Sequence, residues 1–379
     1  MSDDTRGSNA HKRSNTYAEY VDILSTDEPL QIHDPYGATV DFEQMVSEHF
    51  IQGLERSLGL FLKESFCPID PMDSPYEFVK RYGFLYQNVK LDFDAYKFQE
   101  AIYKDTHPEI VLMQAAQTGK TAYLTTLLLW LACKFWGDKF VIYFPGQDLA
   151  RIFSSQRFKT FVESNSFVAP YLGNEISSDG DSRAGENSKS VRSFGRSIFH
   201  FFTIGGKVST ESHTFKGIFF DEVRGMTNAE VNKAEHRTSA YSEWWNIKAS
   251  TAKYPKSDIH AYFTETDQRY WHTNCDCSDG VILSDNWPDC YGFSNGSTTL
   301  KKRFADGFWQ CPKCQKIIEN PLDGQWVAHY PDNWRHGYQV SKILSPLYAF
   351  KAGRLMQEYN EPNMSMMEFY NSCLGRPYI

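Results

Sequence analysis

From about residue 90 to 260, short unbroken apolar runs alternate with longer helix-like stretches. "EIVLM" is followed, after a polar break, by "AYLTTLLLWLACKF". "KFVIYFP" is followed by "QDLARIFSSQRFKTFVE", and "SIFHFFTI", "GIFFDE" and "WNIKAST" come later. A continuous apolar run predicts a strand covered on both faces. Strands of that kind alternating with helices predict an α/β fold with a mostly parallel sheet and helices on both faces. Gly and Ser enrichment around 177–190, and again between "FTIGG" and "GIFFDE", predicts loops.

Outside this region the pattern changes. Residues 1–16 are polar and rich in Ser, Asp and Asn, so a disordered tail is expected. Residues 17–90 form a lead-in or docking region, with a helical pattern in "FEQMVSEHFIQGLERSLGLFLKES" that ends near the turn-rich "CPIDPMDSP". Residues 265–320 are turn-rich and carry clustered cysteines, which predicts a small insertion. The α/β domain then comprises 91–264 and 321–370. No internal repeat is present.

The junction between the first strand and its helix reads "QAAQTGKT", Gln114 to Thr121. A phosphate-binding loop needs backbone N–H groups aimed at phosphate, a Gly where the chain passes close, a Lys for the β and γ oxygens, and a hydroxyl for Mg²⁺. Gly119, Lys120 and Thr121 supply its second half, but Gln114 stands where the opening Gly belongs. About a hundred residues later "GIFFDE" ends a buried strand in adjacent carboxylates. Asp221 is expected to hold Mg²⁺, and Glu222 to orient and deprotonate an attacking water. Upstream, Gln99 is a candidate for the adenine edge, with Phe98 or Tyr96 near the ring. Ser250 and Thr251, in "KAST", are candidates for sensing the γ-phosphate.

With these residues in hand, the chain resembles the ATPase portion of tailed-phage terminase large subunits of the lambda-type, GpA-like family. The resemblance rests on an ordered series: "FQEAIYKD", "QTGKT", "VIYFPGQDLARIFSSQRFKTFVE", "GIFFDEV", "HRTSAYSEWWNIKASTAKYP", "TETDQRYW", "CPKC" and "MEFYNSCLGRPY". It implies a P-loop NTPase of the ASCE/RecA-like type that hydrolyses ATP with Mg²⁺ to drive double-stranded DNA into a procapsid. The implied partners are DNA, a small terminase subunit, the portal and procapsid, and further copies of the chain in a ring. The implied place is the host cell cytoplasm, docked on the portal.

The family form of the loop, like "RQxGKT", is met by Gln117, Thr118, Gly119, Lys120 and Thr121, but Ala116 replaces the Arg. Ring motors also use an arginine finger from a neighbouring subunit. No Arg lies between Arg196 and Arg224, which leaves Arg151, Arg157, Arg237 and Arg269 as candidates. Residues 371–379 resemble the start of a linker to a nuclease domain, so this chain is expected to hydrolyse ATP without cutting DNA.

"NCDCSDG" supplies Cys275 and Cys277, and "WQCPKCQK" supplies Cys311 and Cys314. Two thiolate knuckles separated by a loop can close a tetrahedral, structural Zn²⁺ site, giving a zinc-ribbon-like insertion. Cys290 and His272 are alternative ligands. Eight cysteines in 379 residues are too few for a disulfide scaffold, and Cys67, Cys133 and Cys373 are expected to be ordinary buried residues.

The balance of 39 basic and 47 acidic residues, net −8, excludes a uniformly basic coat. A local basic groove remains compatible with it. Candidate phosphate contacts on DNA are Lys302 and Arg303, the loop around Arg183, Lys189, Arg192 and Arg196, and Arg157 to Lys159. With no apolar run of membrane-spanning length and no apolar N-terminal core, a cytoplasmic protein is expected. Two other readings stay open: a helicase-like DNA translocase, and a non-catalytic zinc-ribbon module with a relic nucleotide site.

Overall fold

The computed structural model describes residues 32–33, 39–40, 67–175, 190–205, 213–294 and 299–378. The chain divides into two compact units, Met1–Pro68 and Ile69–Ile379. In the first, Ile32–His33 pairs antiparallel with Thr39–Val40. The expectations for residues 1–16, and most of those for 17–90, fall outside the described residues. Within 67–90 the chain forms a helix over Pro75–Tyr82 and a small hairpin of Leu85–Tyr86 with Val89–Lys90.

The second unit is built on one eleven-stranded sheet. Its strands are β1 (Glu109–Gln114), β2 (Lys139–Phe144), β3 (Leu172–Glu175), β4 (Val191–Phe194), β5 (Ser197–Thr203) and β6 (Gly217–Asp221). They continue as β7 (Trp245–Ser250), β8 (Arg269–Cys275), β9 (Ser278–Val281), β10 (Gly324–Ala328) and β11 (His336–Val340). The order is β9-β8-β11-β1-β7-β6-β2-β5-β4-β3, with β10 also paired to β8. From β8 to β5 every pairing is parallel, and the strands beyond either end run antiparallel.

Continuous burial of the strands explains the parallel core. Every residue of β1, β6 and β7 is buried, as strands covered on both faces must be. The helix after β1, α1 (Lys120–Lys134), is buried from Ala122 through Cys133. A helix apolar all round has no solvent face to offer, so it occupies the middle of a layer. One core cluster joins Val111, Val141, Ile218 and Phe220 from the strands to Val231, Ile259 and Phe263 from helices that follow β6 and β7. Among the described residues, no helix is long and apolar enough to cross a membrane.

The 265–320 segment shares a core with the end of the chain. Val281, Trp287, Cys290 and Trp309 pack with Ile343, Leu355, Phe369 and Leu374 in one cluster. Strands Tyr291–Phe293, Gly307–Gln310 and Ile317–Ile318 form a separate antiparallel sheet there.

His200 on β5 makes the fold acid-sensitive. The residue is 7% exposed, neither ring nitrogen has a hydrogen-bond partner among the described residues, and Phe202, Phe215 and His213 surround it. Burial, then the charges of His213 and Lys139, lower its pKa to about 4. The folded state therefore prefers the neutral ring. Stability from this group is complete above about pH 6.5, and it is lost as the pH falls toward 4, because the unfolded chain takes the proton first. The difference is about 3 kcal/mol at about 1.4 kcal/mol per pKa unit. Urea titrations at pH 7 and pH 4.5 are expected to show His200→Phe losing less stability on acidification than the wild type. Equal losses would remove His200 from the account.

Candidate nucleotide site and cysteine cluster

The parallel register puts the carboxyl ends of five strands on one edge of the sheet. Gln114 of β1 pairs with Val340 of β11, Met113 with Ser250 of β7, Ala249 with Asp221 of β6, and Phe220 with Tyr143 of β2. Open α/β sheets bind ligands along this edge. β7 lies between β1 and β6, so the loop after β1 and the acids after β6 stand two strand spacings apart, about 10 Å. An extended lysine bridges that gap: Lys120 Nζ donates to Glu222 Oε1 at 2.6 Å and lies 3.2 Å from Asp221 Oδ1.

The loop itself is tightly held. Ala115 N donates to Val340 O at 2.7 Å, and Ala116 N to Ser372 O at 2.9 Å. Thr118 Oγ1 donates to Ala115 O, and Gln99 Nε2 donates to Thr118 O at 3.0 Å. Gln117 and Gly119 both take positive φ, 61° and 94°. At φ 94° any L side chain is strained, and a Cβ there would also displace the tip of Gln99, 2.3 Å away, so Gly suits the position. The altered entrance at Gln114 is no obstacle to the turn: that residue ends β1, and positive φ is supplied by Gln117 instead.

Burial divides the two acids. Asp221 is 2% exposed at its side chain, and its pKa is raised by burial and by the neighbouring Glu222 charge, against the pull of Lys120. Glu222 is 29% exposed. Burial pushes its pKa up, but Lys120, Arg224 and Arg157 outweigh that and leave it lowered. Burial works against the Lys120 charge too, yet Asp221 and Glu222 carry its pKa above the ordinary value. Glu222 takes φ 61°, ψ 47°, a conformation non-glycine residues avoid at a cost of about 1–2 kcal/mol. Held strain of this kind aims a side chain.

The remaining expected residues fall at different places. Ser250 Oγ accepts from Arg224 N at 3.2 Å and donates to Thr251 O, which ties the end of β7 to the turn after Glu222. Thr251 Oγ1 is buried, with no hydrogen-bond partner among the described residues. Phe98 is fully buried and faces no open space, while Tyr96 is 36% exposed. Of the arginines considered, Arg269 is engaged with Asp105, Asp267 and Tyr338, and the Arg237 carbonyl accepts from Phe215 N beyond the opposite end of β6. Arg157 does reach the site. Together with Arg224, Leu149, Asp221 and Glu222 it lines a 240 Å³ cleft. Arg224, whose Nε lies 3.4 Å from Glu222 Oε2, was missed by sequence reasoning although it sits two positions past the acid. Tyr86, whose phenol is influenced by Thr121 and by the Arg157 charge, was missed as well, since a two-residue strand carries no periodic signal.

A larger cavity of 370 Å³ is lined by Glu235, Lys248, Tyr262, Glu265 and Arg335. Its cations are already committed, Lys248 to Glu235 and Arg335 to Glu109 and Glu265, and leave no charge for a phosphate.

Cys275, Cys277, Cys311 and Cys314 converge, with all four sulfurs within 4.8 Å of one another. The Sγ–Sγ separations of 3.5, 3.6 and 3.5 Å are far beyond a disulfide bond of about 2.05 Å. They approach the roughly 3.8 Å edge of a tetrahedron with metal–sulfur bonds of about 2.3 Å. The alternative ligands lie elsewhere: Cys290 donates to Leu283 O, and His272 faces His329.

Known proteins bear on the same elements. Residues 95–329 match the family described as phage terminase large subunit gpA, ATPase domain. No curated protein matches the sequence. Among solved structures, the Thermus phage P74-26 large terminase ATPase domain is 14% identical, with a TM-score of 0.48, covering 81% of this chain and 99% of that one. The HK97 bacteriophage large terminase is 15% identical, TM-score 0.43, covering 80% of this chain and 54% of that one. The large terminase of a thermophilic bacteriophage, in complex with ADP, is 18% identical, TM-score 0.33, covering 42% and 37%. The family match spans more than half of the 379 residues, and it includes both the phosphate loop and the acidic pair. The chain belongs to the phage terminase large subunit gpA family, of which it carries the ATPase domain.

Proposed function

We propose that this chain binds ATP with Mg²⁺ at the carboxyl edge of its sheet and hydrolyses it to drive double-stranded DNA into a procapsid. The observation that supports this most is the meeting of Lys120, Asp221 and Glu222, brought from segments a hundred residues apart to within 3.2 Å. Lys120 moves from the acids to the β and γ phosphates when nucleotide enters. The loop N–H groups of Gln117 to Thr121 and the start of α1 face the phosphate chain. Tyr96 is the aromatic available to the adenine, and Gln99 braces the loop through Thr118. Ser250 and Thr251 carry the loss of the γ-phosphate into the turn after Glu222.

Asp221 and Thr121 suit Mg²⁺. Asp221 Oδ1 is buried with Lys120 Nζ 3.2 Å away; once that amine turns to the phosphates, a hard cation is the partner that suits the oxygen. Bound there, the ion neutralises phosphate charge. The four cysteines suit Zn²⁺ in a closed, structural site. The working partners are duplex DNA, a small terminase subunit and the portal, in the host cytoplasm, with several copies forming a ring.

The experiment is steady-state phosphate release by the full chain with and without linear duplex DNA. Wild type is expected to turn over ATP faster when DNA is present. Lys120→Ala is expected to lose about 10²-fold or more, in the range of removing one preorganised charge donor. Turnover indifferent to Lys120 would overturn the reading.

A further inference from the structure

We infer that Arg157 supplies, within its own chain, a second γ-phosphate cation beside Lys120. This rests on the proposed nucleotide site. Position 116 carries Ala, whose contribution is a backbone N–H bonded to Ser372 O. Lys120 is then the only cation of the loop, and it stands against two carboxylates. An entering triphosphate adds negative charge to a site already short of positive charge.

Two guanidinium groups line the cleft onto which Asp221 and Glu222 open. Arg224 is occupied: its side chain pairs with Glu222, and its N–H donates to Ser250. Arg157 is exposed and, among the described residues, forms no ion pair, though its charge is felt by Asp221, Glu222 and Tyr86. Its base is rigid. Arg157 projects from a π-helical segment, Phe153–Phe158, whose Phe153, Ser154 and Phe158 are buried. Arg192 Nε anchors that segment on Ser154 O at 3.2 Å and Ser154 Oγ at 2.9 Å. A π-bulge adds a residue to the turn and re-aims those after it, and such bulges recur at functional sites. A free, forked cation on a fixed base matches phosphate oxygens well.

In the reaction, a water oxygen bonds to the γ-phosphorus. The bond from that phosphorus to the β–γ bridging oxygen breaks, its electron pair leaving with ADP. The water proton passes to the Glu222 carboxylate, and inorganic phosphate departs. Arg157 forms no covalent bond; its N–H groups meet the charge that builds on the γ-phosphoryl oxygens.

The test uses the full chain with Arg157→Ala and Arg157→Lys beside Glu222→Gln and the neighbouring surface control Gln156→Ala. Turnover by Arg157→Ala is expected to fall about 10³-fold, the lower end for an arginine finger. ATPγS affinity should weaken, ADP affinity and thermal midpoint should stay unchanged, and Arg157→Lys should recover part of the rate. Arg157→Ala turnover within twofold of wild type, with Glu222→Gln inactive, would overturn the inference and leave the site standing. If both variants turn over normally, the site itself is misread. Loss of ADP binding by Arg157→Ala would assign the residue to structure instead. Mixing Arg157→Ala with excess Lys120→Ala separates one chain from two: no recovery is expected, and recovered turnover would place the arginine across an interface.

Discussion

Replacing Glu222 with Gln abolishes ATP turnover, by roughly 10²–10⁴-fold, while ATP still binds. The substitution keeps the size of the side chain and an oxygen for Lys120, so the 2.6 Å contact has a successor. What it removes is the charge that takes a proton from water. Binding is expected to tighten, because one of the two anions opposing the triphosphate is gone. In the nucleotide-free protein the Glu222 pKa is, despite burial, lowered, chiefly by Lys120, so the acidic limb that this group gives the kcat/KM profile lies below the ordinary Glu range. Filter binding should recover intact ATP on the variant, and phosphate release should be near background. A variant releasing phosphate at the wild-type rate would assign the proton transfer elsewhere and leave Glu222 as a mere partner for Lys120.

The strands and the acidic pair were legible because each is a local pattern. "EIVLM", "KFVIYFP" and "GIFFDE" are continuous apolar runs of strand length, and all three became buried parallel strands. The end of "GIFFDE" names its own carboxylates. What was not legible arises from strand order and from long-range packing. Nothing local tells that β7 inserts between β1 and β6, which makes Ser250 the neighbour of the turn carrying Arg224. Nor does it tell that the carbonyl of Ser372, more than two hundred and fifty residues away, receives the N–H of Ala116. Arg157 sits in a run whose apolar positions read as an ordinary amphipathic helix. Its aim depends on a π-turn that no periodicity announces. Phe98 looked available to a base because aromatic residues near a nucleotide site invite that reading, but its side chain is fully buried.

Removing the metal is expected to have the largest effect on stability. The full chain as purified is expected to hold about one zinc per molecule, and Cys311→Ser to hold nearly none. Isolated zinc-finger peptides owe about 10–16 kcal/mol of apparent folding free energy to their ion. Here the loss should be smaller, several kcal/mol, because a packed core of Trp287, Trp309, Leu355 and Phe369 persists around the cysteines. Cys290→Ser is the matched control, a buried thiol outside the cluster, which should keep its zinc. The damage should also travel. Cys373 and Leu374 belong to the same core, and their neighbour Ser372 holds the phosphate loop at Ala116. Loss of the ion should therefore weaken nucleotide binding in the folded fraction more than Cys290→Ser does, since that variant keeps the ion and disturbs only one buried thiol of the same core. Metal analysis, thermal denaturation and nucleotide titration on the two variants separate these effects. A Cys311→Ser protein with unchanged zinc would overturn the ligand assignment. One that loses zinc without loss of stability would deny the ion its structural role.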